Sequence, residues 1–148
     1  MTAPLHAPRA AVPMHLWIVG VLALLWNAIG AFDYLMTQTR NEAYMGQFTP
    51  EQLAYFYGFP AWVVSTWALS VWGGVLGSIL LLLRNRWAVV VFGVSLATMV
   101  ITTIYNFGLT NGMEIMGTFG AIFSVVIFAI AVALFLYARR LAAAGVLR

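Results

Sequence analysis

Residues 60–109 read PAWVVSTWALSVWGGVLGSILLLLRNRWAVVVFGVSLATMVITTIYNFGL, two long apolar runs parted only by Arg84-Asn85-Arg86. Each run exceeds the about 20 residues that cross a hydrocarbon core about 30 Å thick. Lipid offers the backbone no hydrogen-bonding partner, so each run must satisfy its own amides as an α-helix. A three-residue connection leaves the helices no room to part, and spans of about 60–83 and 87–109 are expected as antiparallel neighbours.

Outward from this hairpin the pattern repeats. Upstream, Met14 to about Thr37 is apolar apart from Asn27, Gly30 and Asp33 and supplies the first span, about 14–37. Downstream, the turn dipeptide Asn111-Gly112 introduces a fourth apolar run, about 113–138, closed by Arg139-Arg140. Composition agrees: 64% of the 148 residues are hydrophobic and 7% charged, against roughly 45–50% and about 25% in a soluble domain. The fold class read from the sequence is all-α, a polytopic membrane protein built as a four-transmembrane-helix antiparallel bundle, with its membrane domain over 14–140. Residues 1–13, with Pro4, Pro8 and Pro13, are expected to form a disordered cytoplasmic tail and 141–148 a second cytoplasmic tail. A secretory signal peptide, with Arg9 ahead of an apolar core and Ala28-Ile29-Gly30 as cleavage site, competes for the first span; the apolar character running on past that site opposes it.

The longest connection, 38–59, is rich in rings: Tyr44, Phe48, Tyr55, Phe56, Tyr57 and Phe59. Within it Thr49-Pro50-Glu51-Gln52 combines an N-cap, a proline at the first helical position and a capping-box glutamine, and Gly58 is placed to end the helix. A short helix over 50–57 is predicted, lying in the interface with Leu53, Phe56 and Tyr57 on one face. Orientation follows from arginine. Arg9, Arg84, Arg86, Arg139, Arg140 and Arg148 fall on one side and Arg40 alone on the other, so the positive-inside rule puts both termini in the cytoplasm. The acids Asp33, Glu42, Glu51 and Glu114 then make the outer mouth acidic.

Several chemistries are excluded or unsupported. The net charge of +3 comes from scattered arginines with no basic run, which argues against nucleic acid as a partner. The chain has no cysteine, which removes disulfides, thiol nucleophiles and iron–sulfur ligands. His6 and His15 cannot face each other as a haem pair, and neither HExxH nor a Cys/His cluster is present for zinc. No cofactor, metal or catalytic residue is assigned.

Small and polar residues fall in stripes. Ser70, Gly74 and Ser78 recur every fourth residue of the second span, and Gly73 with Gly77 makes a GxxxG pair that lets backbones approach closely. Helix packing explains these and Gly30; close approach to a ligand is the alternative, and the GxxxG face is a candidate homodimer contact. In the third span Ser95, Thr98, Thr102 and Tyr105 or Asn106 share a face, and in the fourth Glu114, Gly117 or Thr118, Ala121 and Ser124 or Val125 do so. These two faces are expected to meet in the interior.

The candidate ligand site is ionisable. Asp33 falls inside the first span, where a carboxylate is costly enough to suggest function; hydration at headgroup depth or pairing with Arg40 is the plain alternative. Glu114 opens the fourth helix, where it complements the helix dipole. Asp33, Asn106 and Glu114 are expected at similar depth, with Tyr34, Tyr105 and Arg40 near them and Asn27 deeper on the same helix. Such a group would bind a cation or protonated amine, or relay a proton.

The run Leu25-Trp26-Asn27-Ala28-Ile29-Gly30-Ala31-Phe32-Asp33-Tyr34, continued through Arg40-Asn41, Trp62, Ser70 to Gly77 and Arg84-Asn85-Arg86-Trp87-Ala88, resembles a group of small four-helix bacterial inner-membrane proteins. Their activity is uncharacterised and they are sometimes labelled sugar transporters. The resemblance covers the first three helices and implies a bacterial inner membrane, with Trp26, Asn27, Gly30, Asp33 and Tyr34 as its pattern; it implies no activity. The function expected is therefore a small transporter or a partner-binding accessory subunit, acting as a homo-oligomer or within a larger membrane complex. A membrane-embedded enzyme acting on a lipid or quinone, and a purely structural bundle, are the alternatives.

Overall fold

The computed structural model describes residues 11–148, which form helices and turns with no strand. In chain order these are α1 (Met14–Gln38), α2 (Glu42–Met45), α3 (Pro50–Tyr57), α4 (Ala61–Leu82), α5 (Trp87–Ile104) with a π-helical turn over Tyr105–Leu109, and α6 (Gly112–Ala143). The stretches Met14–Gln38, Ala61–Leu82, Trp87–Leu109 and Gly112–Ala143 are long and apolar enough to cross a membrane. The expectation for residues 1–13 falls, up to residue 10, outside the described residues.

Helix ends show how the local sequence acts. At α3 the capping box forms as read: Gln52 N donates to Thr49 Oγ1 at 3.1 Å and Thr49 N to Gln52 Oε1 at 3.0 Å. Gly58 ends α3 at φ −87°, so it needs no left-handed freedom; Pro60, which lacks an amide hydrogen, prevents continuation. Arginines instead occupy left-handed positions after α1 and α4, Arg40 at φ 52° and Arg84 at φ 58°. Each sits in a paired turn: Asn41 N reaches Met36 O and Arg40 N reaches Thr37 O, while Asn85 N reaches Leu80 O and Arg84 N reaches Leu81 O. A non-glycine residue there costs roughly 1–2 kcal/mol, offset by the backbone hydrogen bonds that each turn closes onto the last carbonyls of the helix.

The same turn recurs after α6, now with glycine. Gly145 (φ 77°) lets Val146 N reach Leu141 O at 2.9 Å. The sequence reads 141–148 as a tail, but the helix runs on to Ala143 and the chain then folds back. Leu141, Val146 and Leu147 are buried together with Leu81 and Ala88. Arg148 N donates to Arg84 O and Arg86 N to Arg148 O, both at 2.9 Å. Three apolar side chains close together in sequence thus cover the α4–α5 turn, a contact that hydropathy over so short a stretch does not announce.

The glycines and hydroxyls of α4 set the packing. A Cβ on Gly77 would lie 2.6 Å from Phe92 Cδ1, and one on Gly73 3.0 Å from Ser95 Cβ, so α5 lies directly on this pair. On its other side Gly74 faces Asn27 of α1, whose side-chain oxygen would overlap any Cβ there. The GxxxG pair is therefore spent inside the chain and is not left for a second copy. Ser95 Oγ donates to Ser70 O at 2.6 Å, and Thr66 and Thr102 share a hydrogen bond of 2.9 Å. The hydroxyl face of α5 thus turns chiefly toward α4, where the small side chains allow close approach, and not toward α6 as the stripe pattern suggests.

α6 packs on α5 and meets α1 at separated points: the Trp26 and Phe123 rings, with centroids 6.1 Å apart, and a His15–Tyr137 hydrogen bond. Gly117, at φ 71° and ψ −173°, breaks the helix near its start. Between these contacts α1 and α6 do not close on each other, and a cavity remains.

Candidate functional site

The cavity has a volume of about 420 Å³ and runs from the 38–60 connection down between the long helices to Leu134. Asn27, Gly30 and Asp33 of α1 line it at spacings of three residues, a shallow spiral on a 3.6-residue helix that keeps all three on one side. Tyr44, Phe48, Phe56 and Phe59 line it from the connection, Trp67 and Ser70 from α4, Thr102 and Thr103 from α5, Asn106 from the π turn, and Ser124 from α6. Asp33 is the one Asp, Glu, His, Lys or Arg that lines it among the described residues.

Asp33 is held by a tyrosine, not by a cation. The reversal at Arg40 carries α2 back along α1, and there the Tyr44 hydroxyl donates to Asp33 Oδ1. Burial, the hydrogen bond and the charge of Asp33 together push the Tyr44 hydroxyl up to about 12. Arg40, the cation nearest in sequence, lies over the Tyr57 ring with Cζ 4.3 Å from its centroid. Thr37, one turn on from Asp33, donates to the Asp33 carbonyl.

Asn27 sits deeper. Its Nδ2 donates to Ala23 O at 2.8 Å and to Ser78 Oγ at 3.3 Å, which ties α1 to α4 through the close approach at Gly74. Asn106 lies across the cavity in the π turn, whose extra residue per turn displaces its side chain from the regular helical register. The Tyr55 hydroxyl donates to Asn106 Oδ1 at 2.9 Å and shares a 2.7 Å hydrogen bond with Thr110. Burial pushes the Tyr55 hydroxyl above its ordinary value. Tyr55 thereby locks α3 to the end of α5 and the start of α6.

The remaining residues expected at the site lie elsewhere. Glu114 is exposed at the start of α6 and does not line the cavity. Tyr34 and Tyr105 are also outside the lining: Tyr34 packs edge-on to Trp67 at 4.9 Å, and Tyr105 against Phe59 and Trp62 at 5.6 and 5.5 Å. Asp33, Asn27 and Asn106 are thus brought to one cavity, and the second carboxylate is not.

Tyr44 and Tyr55, the partners of Asp33 and Asn106, are the functional side chains that the pattern of the spans does not single out. Tyr44 is eleven residues from its partner and Tyr55 fifty-one; aromatic crowding in 38–59 is the signal that marks the region. That crowding becomes a chain of mainly edge-on rings. Phe48 and Phe56 are 5.3 Å apart, Phe56 and Phe59 6.3 Å, and Phe59 and Trp67 5.9 Å. Among the described residues no group of three or more His, Cys, Asp or Glu is placed to hold a metal. No protein-family profile, curated protein or solved structure matches the chain.

Proposed function

We propose that the chain is a polytopic protein of a bacterial inner membrane that binds a small ligand in this cavity. It would act as a small transporter or as the ligand-binding accessory subunit of a larger membrane complex. The observation that carries the reading is the cavity itself: it holds a carboxylate within a membrane-spanning stretch and satisfies it with one hydroxyl, without a neutralising cation among the described residues. Such a group is costly in lipid and is retained where it meets a ligand, an ion or a proton.

The architecture belongs to the same proposal. An antiparallel bundle is supported by cross-helix pairs that run in opposite directions, Ser70 with Ser95 and Thr66 with Thr102. Cytoplasmic termini are supported by the arginine distribution, and the inner membrane by the resemblance of the first three helices. α3, with its Phe56 and the flanking Phe48 and Phe59, then covers the extracytoplasmic mouth. With the GxxxG pair consumed internally, the broad apolar surface of α6, where Phe119 is 82% and Val125 67% exposed, is the face left for lipid or a partner subunit. An enzyme is less well supported, because Asp33 and Tyr44 form a couple without a nucleophile or an orienting third group.

The absence of cysteine makes the test clean. Single cysteines at the lining positions Thr103 and Met116 are compared with Leu76 and Val90, which lie on the outer surface. A membrane-impermeant maleimide added from the extracytoplasmic side should label the first two and spare the second two. Lining positions no more reactive than surface positions would remove the binding-cavity reading.

A further inference from the structure

We infer that the ligand of this cavity is a lipophilic organic cation, with its charged centre between Asp33 and the aromatic wall and its apolar body toward Leu134. The inference rests on the binding-cavity reading and adds the ligand's chemistry to it. Charge is the first argument. Among the described residues Asp33 is the sole Asp, Glu, His, Lys or Arg on the lining, so its carboxylate supplies the formal charge there. A neutral ligand would leave it without a counter-charge, and an anion would be repelled.

The rings are the second argument. Tyr44, Phe48, Phe56, Phe59 and Trp67 line the same cavity as the carboxylate, and successive rings from Tyr44 to Trp67 lie 5.3–6.3 Å apart between centroids. A cation is attracted to a ring face within about 6 Å of its centroid, so a bulky cation held at Asp33 comes within reach of more than one ring. Small metal ions are poorly served here, since they demand several oxygen ligands, commonly carboxylates, and among the described residues no group of three or more His, Cys, Asp or Glu is placed to hold one. The shape is the third argument. Below Ser124 the α6 lining turns to Ile127, Ile130, Ala131 and Leu134; Ile127 to Leu134 spans about 10 Å along α6. That depth of aliphatic wall suits an apolar body attached to the charge.

The test uses two ions of one shape and opposite charge. Tetraphenylphosphonium and tetraphenylborate are titrated into the full-length protein in nanodiscs, with empty nanodiscs as the blank, and tryptophan emission is read because Trp26 and Trp67 line the cavity. The phosphonium should saturate the signal and the borate should not. Asp33→Asn, which keeps an oxygen for Tyr44, should weaken phosphonium binding by roughly thirty-fold. Phe56→Leu and Phe59→Leu should each weaken it several-fold with the carboxylate intact. Tyr44→Phe keeps the ring but frees the carboxylate from its hydroxyl, and should tighten binding. A tightening in Tyr44→Phe cannot come from a damaged fold, so it guards the result against misfolding of the other variants. Equal binding of both ions, no saturable phosphonium binding, or unchanged affinity in Asp33→Asn would each overturn the inference. Maleimide labelling of Thr103→Cys would still decide the broader reading separately.

Discussion

The same substitution, glycine to alanine, should have opposite signs at two helix positions of this chain. At Gly77 the added methyl would lie 2.6 and 2.7 Å from Phe92 Cδ1 and Cε1. Carbon pairs prefer about 3.5–4.0 Å, so the ring or the backbone must move by about 1 Å. Phe92 is 3% exposed and belongs to the same core as Ala88 and Leu81, so its ring can yield only on the side that borders the cavity. Overpacking of this kind costs roughly 1–3 kcal/mol, against a gain of about 1 kcal/mol from replacing glycine within a helix. At Gly30 the added methyl meets only Val71 Cγ1, at 3.7 Å, an ordinary contact. There the helix term stands alone, and Gly30→Ala should stabilise by roughly 0.5–1 kcal/mol. Unfolding in mixed micelles, titrated with sodium dodecyl sulfate and followed by tryptophan emission, reads both. Gly77→Ala combined with Phe92→Leu should recover part of the loss, because the smaller side chain leaves room for the methyl. Stabilisation by Gly77→Ala, or failure of Phe92→Leu to restore any of its loss, would refute the packing of α5 on α4 described above.

Tyr44 gives a pH-dependent expectation. Its hydroxyl titrates at about 12 in the fold and near 10 in an unfolded chain, so its contribution is complete below about pH 10 and is lost as pH rises toward 12. Absorbance at 295 nm should show a late tyrosine step that Tyr44→Phe removes. Tyr55→Phe breaks the hydrogen bonds to Asn106 and Thr110; a loss of roughly 1–3 kcal/mol should appear in hydrogen exchange as earlier opening of α3, with α4 unaffected. Arg84→Gly relieves a left-handed arginine at φ 58° and should stabilise by about 1 kcal/mol in the same micelle titration. Phosphonium binding should survive it, since Arg84 is not among the cavity residues.

Legibility differed between levels of the structure. The four long helices could be read directly, because lipid forces every apolar run of sufficient length to hydrogen-bond within itself. The capping box at Thr49 was equally plain, since both its partners lie within four residues. Asp33, Asn27 and Asn106 were identifiable as the polar exceptions in apolar surroundings, and similar depth suggested that Asp33 and Asn106 converge, but Glu114 looked equivalent to Asp33 by the same criterion. What separates the two acids is tertiary. The chain turns back at Arg40 and brings Tyr44 onto Asp33, whereas Glu114 stays at an exposed helix start.

Sequence alone therefore determined the number and extent of the apolar helices, the caps and the stripes of small residues, all of which depend on neighbours a few positions away. Tertiary structure decided how each stripe was used: Gly73 and Gly77 against α5, Gly74 against Asn27, and the hydroxyls of α5 toward α4. It also decided that residues 141–148 fold onto the α4–α5 turn, and that one carboxylate shares a cavity with eight aromatic rings. Local rules set which face of a helix is small, polar or aromatic. What that face meets depends on backbone approaches between residues up to tens of positions apart, and these are resolved only when all four helices compete for the same contacts.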